Sequence, residues 1–217
     1  LNIDAMKEAF DLAVVVKDAK GLPQFTVATD KTVEVLEKVG AFFKNNYGFT
    51  AEPNMDDDAN TMFIEDRALF LAFRMEVVTD LREMDTDFGI VPWPKYDEAS
   101  EYCTNVDAGT NMCVIPMTAV DPERTSIILE AMSAIGYDKV LPAYFEVALQ
   151  TKASRDDDSA EMLDIIKAAR IYDLGYYNAD MSLVYANEFV DFVITPSLGR
   201  NFSSWYEKNE KSVNKAM

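Results

Sequence analysis

No histidine occurs anywhere in the 217 residues. A Ser-His-Asp triad, a Cys-His dyad and a histidine-containing zinc site are therefore excluded within this chain. Cysteine is almost as scarce. Cys103 and Cys113 are the only two, and they form neither a CxxC redox motif nor a metal-ligand spacing. Two arrangements stay open for them: a pair closed across a hairpin around Ala108 and Gly109, or two buried free thiols acting as small hydrophobes. Basic residues are few, with 20 Lys and Arg against 38 Asp and Glu, a formal net charge of -18 and a pI of about 4.3. Phosphate backbones are bound by Lys and Arg, so the balance argues against nucleic acid as a partner. It argues equally against adhesion to anionic lipid; the plainer meaning of such acidity is solubility. No apolar run approaches the length of a membrane-spanning helix, and no signal peptide is visible. The chain opens Leu1-Asn2-Ile3-Asp4 without an initiating Met. It reads as a piece cut from something longer, so the missing leader says nothing about export.

What is present is a substantial stock of core-forming residues. Apolar residues make up 49% of the chain, with 13 Phe, 10 Tyr and 2 Trp, enough to pack a core and to argue against disorder. The length suits one large domain or two small ones. The organising stretch is residues 87–116, DFGIVPWPKYDEASEYCTNVDAGTNMCVIP. It reads as an extended run at 88–93, a charged loop at 95–101, and a second extended run at 102–115 stopped by Pro116. Such a passage suits a chain crossing between two lobes, and ligands bind where lobes meet.

Around it the pattern is mostly helical. Residues 4–20 place Ala5, Met6, Ala9, Phe10, Ala13, Val14 and Ala19 at helical spacing, with Asp4 as N-cap and Gly21-Leu22-Pro23 as the stop. Residues 25–28 read as a short strand. Asp30 caps a second helix closed by Asn45, Asn46 and Gly48. Asp56, Asp58 and Asn60 imitate a calcium loop, but Thr61 stands where the turn needs Gly and Arg67 where the bidentate Glu belongs. An Asp-rich helix start is the ordinary explanation. Residues 68–73 read as a buried strand and 79–84 as a short helix. Asp121-Pro122-Glu123 starts a helix expected to stop at Gly136. Further helices are expected over 139–149, after Asp156-Asp157-Asp158, over 183–194 and over 203–216. Trp205 and Tyr206 pack the last one down. Some five short strands interleaved with these helices favour an α/β sandwich with parallel-type pairing.

Several segments together carry a resemblance. IEDRALFLAFRM, DFGIVPWPKYDEA, TNVDAGTNMCVIP, the DPERTSIILEAM helix and the later ARIYDLGYY resemble the C-terminal portion of an extracellular solute-binding protein of an ABC importer. The nearest likeness is to the family 1, carbohydrate-binding group related to maltose-binding protein, as found in Gram-positive lipoproteins. The resemblance covers nearly all of the chain. It implies an α/β, helix-rich, truncated periplasmic-binding-protein-like type II fold. Residues 1–100 and 151–217 would form the C-terminal-type lobe. Residues 101–150 would form the crossover and part of the N-terminal-type lobe, whose remainder is absent from this chain. Hinges are expected at 95–101, 105–109 and 150–155, with lobe closure on a ligand.

The resemblance implies a non-enzymatic function: binding a carbohydrate in an interlobe cleft and delivering it to ABC permease subunits. It implies an extracellular, cell-surface lipoprotein whose lipid anchor lies outside this chain. No cofactor and no metal are expected. The expected ligand-binding residues are Phe73, Arg74, Glu76, Asp107, Asn111, Tyr176 and Tyr177. Arg74 beside Phe73 offers a guanidinium fork and an aromatic face to sugar hydroxyls or an acidic sugar; the competing reading is a charged surface turn. Asn105, Asp107, Thr110 and Asn111 bring polar groups that a ligand or the main chain must satisfy. Tyr176 and Tyr177, with Asn178, supply apolar faces with polar tips, or else fold their loop against the core. Trp93 between two prolines either stacks on a sugar ring or packs the core. The alternatives in other classes are a cell-surface glycoside-processing enzyme, requiring two converging carboxylates, and a helical interaction module, requiring an exposed apolar patch.

Overall fold

Val14, Val15 and Val16 are followed by Asp18 and Gly21, and this run decides the first 30 residues. In the computed structural model, which describes residues 4–45, 56–81, 84–107, 113–149, 157–177 and 202–216, the helix expected over 4–20 is cut short. Helix α1 covers only Asp4–Ala9. Asp11 turns the chain with φ 57°, and β1 (Val15–Lys17) pairs antiparallel with β2 (Pro23–Phe25). Three successive β-branched residues favour the strand. Asp18 Oδ1 accepts from the amides of Lys20 (2.8 Å) and Leu22 (2.9 Å), and Gly21 supplies φ 79°. The turn chemistry therefore overrides the helical spacing.

The chain divides into two compact units. The first comprises residues 1–74, 92–108 and 165–217, the second 75–91 and 109–164. Of the residues expected in the lobe of 1–100 and 151–217, those at 75–91 and 151–164 fall in the second unit, and residues 101–108 of the expected crossover fall in the first.

In the first unit, α2 (Asp30–Lys44) starts at Thr29, whose side chain accepts from the Thr32 amide at 3.1 Å. Its inward residues Thr32, Val35, Leu36 and Val39 recur every three or four positions and are buried. Met6 and Leu12 complete that core, with Phe10, Trp93, Tyr96 and Trp205 packed against it. Trp93 is therefore a packing residue. A second cluster gathers Val14, Val15 and Val27 against Phe25 and Tyr206, whose rings stack at 5.8 Å and 3°. The last helix, here α9 (Phe202–Ala216), is held down by its aromatics as expected. Between α2 and α9 in sequence lie β3 (Thr104–Asn105), β4 (Arg170–Ile171) and α8 (Leu174–Tyr177). β3 and β4 pair in parallel, Thr104 opposite Arg170 and Asn105 opposite Ile171.

The Asp-rich segment forms the start of α3 (Asp56–Ile64). The expected strand at 68–73 is not formed: the segment carries no regular structure, and Leu69 and Phe70 are 84% and 71% exposed. An apolar run is not a strand without a neighbour to complete its ladder. Residues 88–93 are likewise outside any ladder, and among the described residues of the second extended run only β3 pairs.

The second unit contains α4 (Val77–Asp80), α5 (Pro122–Ile135), a π-helical turn (Gly136–Val140), α6 (Leu141–Leu149) and the start of α7 (Asp157–Ala168). Asp121 caps α5 as expected, accepting from the Arg124 amide at 2.9 Å. Gly136 does not stop the helix; its φ of -58° and ψ of -46° carry the chain on into the π-helical turn. Val77, Val78, Leu81, Met84 and Leu163 are the buried apolar residues. The architecture is thus helix-rich α/β with two small sheets among the described residues. No described helix is long and apolar enough to cross a membrane. The helix expected at 183–194, the hinge at 150–155 and the residues Gly109, Thr110, Asn111 and Asn178 lie outside the described residues.

Candidate functional site

Five of the expected ligand residues, Phe73, Arg74, Asp107, Tyr176 and Tyr177, come together in the first unit. The parallel β3–β4 pair sets the geometry, because it brings the segment after β3 alongside the segment after β4. The Thr104 amide donates to Ala169 (2.8 Å) and the Val106 amide to Ile171 (3.2 Å). From there Tyr177 reaches across: its hydroxyl donates to the Val106 carbonyl at 2.9 Å and lies 3.4 Å from the Asp107 carbonyl. On the other side of Asp107, Arg74 Nη1 stands 3.7 Å from Oδ2. Both side chains remain part-exposed, so this ion pair positions more than it stabilises. The Arg74 guanidinium lies 5.6 Å from the Phe73 ring centre, a cation over an aromatic face.

Tyr177 is also the centre of an aromatic shelf. Tyr176 meets it edge-on at 6.0 Å and Tyr172 lies tilted at 6.1 Å. Tyr172 is 69% exposed, so one face of the shelf meets solvent. The ARIYDLGYY segment marks all three tyrosines, yet spacing alone did not single out Tyr172.

Asp173 builds the shelf. Its Oδ1 accepts from the amides of Gly175 (2.6 Å) and Tyr176 (3.2 Å), and its Oδ2 from the Val14 amide at 3.0 Å. One buried carboxylate therefore caps α8 and ties it to the strand that begins at Val15. Gly175 is required by the closeness of this contact: a Cβ there would stand 2.6 Å from Val14 Cβ. Sequence reasoning missed Asp173, although an Asp two residues before a Gly is a recognisable turn signal.

It also missed a buried charged pair below the shelf. Lys7 and Glu8 of α1 have no exposed side-chain surface, with Nζ 3.5 Å from Oε1. Lys7 Nζ lies 4.7 Å from the Tyr176 ring centre. Burial pushes the Glu8 carboxyl up to about 7, against the pull of Lys7. On β3, which packs against α1, Asn105 Oδ1 is buried and accepts no hydrogen bond from the described residues.

Among the other expected site residues, Glu76 belongs to the second unit, where it precedes α4 without capping it. Asn111 lies outside the described residues. Cys103 and Cys113 are free thiols, the first half-buried and raised in pKa chiefly by that burial.

No family model, curated protein or solved structure matches the chain. The chemistry of the site stands on its geometry alone: a guanidinium, a carboxylate, two backbone carbonyls and three phenol rings in one neighbourhood. Such a set offers hydrogen-bond donors and acceptors around a partly wet aromatic surface.

Proposed function

We propose that this chain is part of an extracellular solute-binding component of an ABC importer, related in kind to maltose-binding protein. Its fold would be the type II periplasmic-binding-protein-like fold. It binds a carbohydrate without transforming it and passes it to permease subunits. It sits at the cell surface by a lipid anchor outside this chain. The observation that carries this reading is the convergence of Arg74 and Tyr177 on Asp107, beside an exposed tyrosine shelf. A sugar ring offers an apolar face and a rim of hydroxyls, and aromatic faces with polar tips complement both. An Arg–carboxylate pair lets one hydroxyl donate and another accept.

A glycoside-processing enzyme gains little support. Glu8 has the raised pKa of a general acid, but its side chain is fully buried. The neighbouring Asp173 is occupied at both oxygens by backbone amides. A helical interaction module has one observation in its favour, the apolar residues Ile127, Ile128, Met132 and Ile135 exposed on α5.

Thermal unfolding of the chain in the presence of neutral saccharides, uronates, amino acids and peptides tests the proposal. A ligand at a hundred times its Kd stabilises a protein by about 2.7 kcal/mol, a shift easily read as Tm. Stabilisation by saccharides alone, lost in Arg74→Ala and reduced in Tyr177→Phe, is the expected result. A shift with amino acids or peptides and with no saccharide overturns it.

A further inference from the structure

A chain without histidine has no side chain that ordinarily titrates between pH 5 and 8. Beneath the tyrosine shelf, however, lies a carboxyl placed to do so. Lys7 and Glu8 are neighbours on α1, and helix neighbours normally point well apart. Here both are fully buried, and Nζ of Lys7 is 3.5 Å from Oε1 of Glu8. Neither Glu8 oxygen accepts a hydrogen bond of ordinary geometry from the described residues. The same ammonium stands 4.7 Å from the centre of the Tyr176 ring. Among the partners of Lys7 are therefore a carboxylate whose charge comes and goes with one proton and a ring of the shelf.

The groups bearing on Glu8 can be named on each side. Lys7 shares its helix, and Asp173 approaches from the segment leading into α8 and raises the Glu8 pKa further. The packed strand β3 presents Thr104 and Asn105, which carry no charge. Cys103, just before β3, feels the charges of both Glu8 and Asp11. Burial outweighs the attraction of Lys7, so the carboxyl titrates at about 7.

We propose that Glu8 is a positioning residue for the tyrosine shelf, acting through Lys7, and that taking up one solvent proton at Glu8 shifts Lys7 toward Tyr176. When Glu8 is ionised, its charge competes with the ring for the ammonium. When it is protonated, that competition ends and the cation–π contact tightens. The step is a proton transfer: one O–H bond forms at a Glu8 oxygen, one O–H bond of a hydronium ion breaks, and water is left. That this alters solute uptake rests on the proposed function above; that it alters the shelf does not.

The test is nuclear magnetic resonance of ring-labelled tyrosines in the ligand-free chain from pH 5.5 to 8.5, with Tyr176 assigned through Tyr176→Phe. The expected result is a single inflection in the Tyr176 shifts near pH 7, abolished in Glu8→Gln. A flat Tyr176 profile, or the same inflection in Glu8→Gln, overturns the proposal. Should Glu8→Gln fail to fold, Glu8→Asp serves: the inflection must move, and an unmoved inflection overturns the proposal equally. If a saccharide binds, its Kd at pH 6 and pH 8 should differ in the parent chain and agree in Glu8→Gln. If no saccharide binds, the transport reading falls while the ligand-free titration still decides the role of Glu8.

Discussion

Three backbone amides converge on the carboxylate of Asp173, and the consequences of that one side chain can be measured. Hydrogen bonds to a charged group contribute roughly 1.5–3 kcal/mol each, and amides left buried without a partner are costly. Asp173→Ala should therefore lower stability by several kcal/mol in a denaturant titration. Lys139→Ala, which removes an exposed surface pair with Asp138, should cost less than about 1 kcal/mol. Gly175→Ala should cost about 1–3 kcal/mol, because its new Cβ would stand 2.6 Å from Val14 Cβ and 3.0 Å from Asp173 Oδ1. Glu8 gives the pH dependence. Its carboxyl rises from 4.5 in the unfolded chain to about 7 when folded, so between those values the native state holds the extra proton. Stability from this group is therefore greatest below pH 4.5, falls as pH rises, and levels off above about pH 7. The whole swing is on the order of 3 kcal/mol. Glu8→Gln should flatten that part of the stability profile measured by urea unfolding at a series of pH values. At this scale the sequence was partly legible. Arg74, Asp107 and Tyr177 were visible as polar or aromatic residues on loops. Glu8 and Lys7 were not, because on a long helix they fall on the side away from the apolar stripe. In the short α1 both sides are enclosed, with Met6 and Ala9 buried as well as Lys7 and Glu8.

At the scale of elements, caps were the most readable feature and strands the least. Asp121-Pro122 is local chemistry, settled within four residues, and that cap forms as expected; the second helix, expected to be capped by Asp30, is capped instead by Thr29, one residue earlier. Asp121→Ala should destabilise α5 by about 1 kcal/mol, seen as loss of helical circular dichroism at lower urea. Gly136 shows where local chemistry misleads. Glycine after an apolar helix suggests a stop, but a stop of that kind needs a left-handed backbone, and Gly136 is right-handed at φ -58°. A Cβ there would meet nothing within 4 Å. Gly136→Ala should accordingly stabilise the chain by about 0.4–1 kcal/mol, raising Tm; a lower Tm would mean that the π-helical turn needs glycine. The strands misread at 68–73 and 88–93 failed for a different reason. A ladder depends on a partner distant in sequence, and composition does not report whether that partner arrives. The hairpin β1–β2 was missed because valine spacing fitted a helix as well as a strand, and the decision lay in the Asp18–Gly21 turn.

Across the whole molecule the burial is uneven, and that unevenness should govern how it opens. The first unit holds two apolar clusters, closed from several sides by α1, α2, β1 and α9. The second unit buries Val77, Val78, Leu81, Met84 and Leu163, yet no residue of α5 is buried. A helix gains most of its stability from packing one face, and α5 has no buried face to pack. Amides protected only by their own helix exchange through fraying and local opening, whereas those over a core wait for larger unfolding events. Native-state hydrogen exchange should therefore find the amides of α5 exchanging orders of magnitude faster than those of Val35, Leu36 and Val39 in α2. The α8 amides fixed by Asp173 should be protected as well, despite that helix being only four residues long. Equal protection in α2 and α5 would require that α5 be covered in solution. In that case the exposed row Ile127, Ile128, Met132 and Ile135 would belong to an interface, and protection should vary with protein concentration if the covering surface is a second copy of the chain.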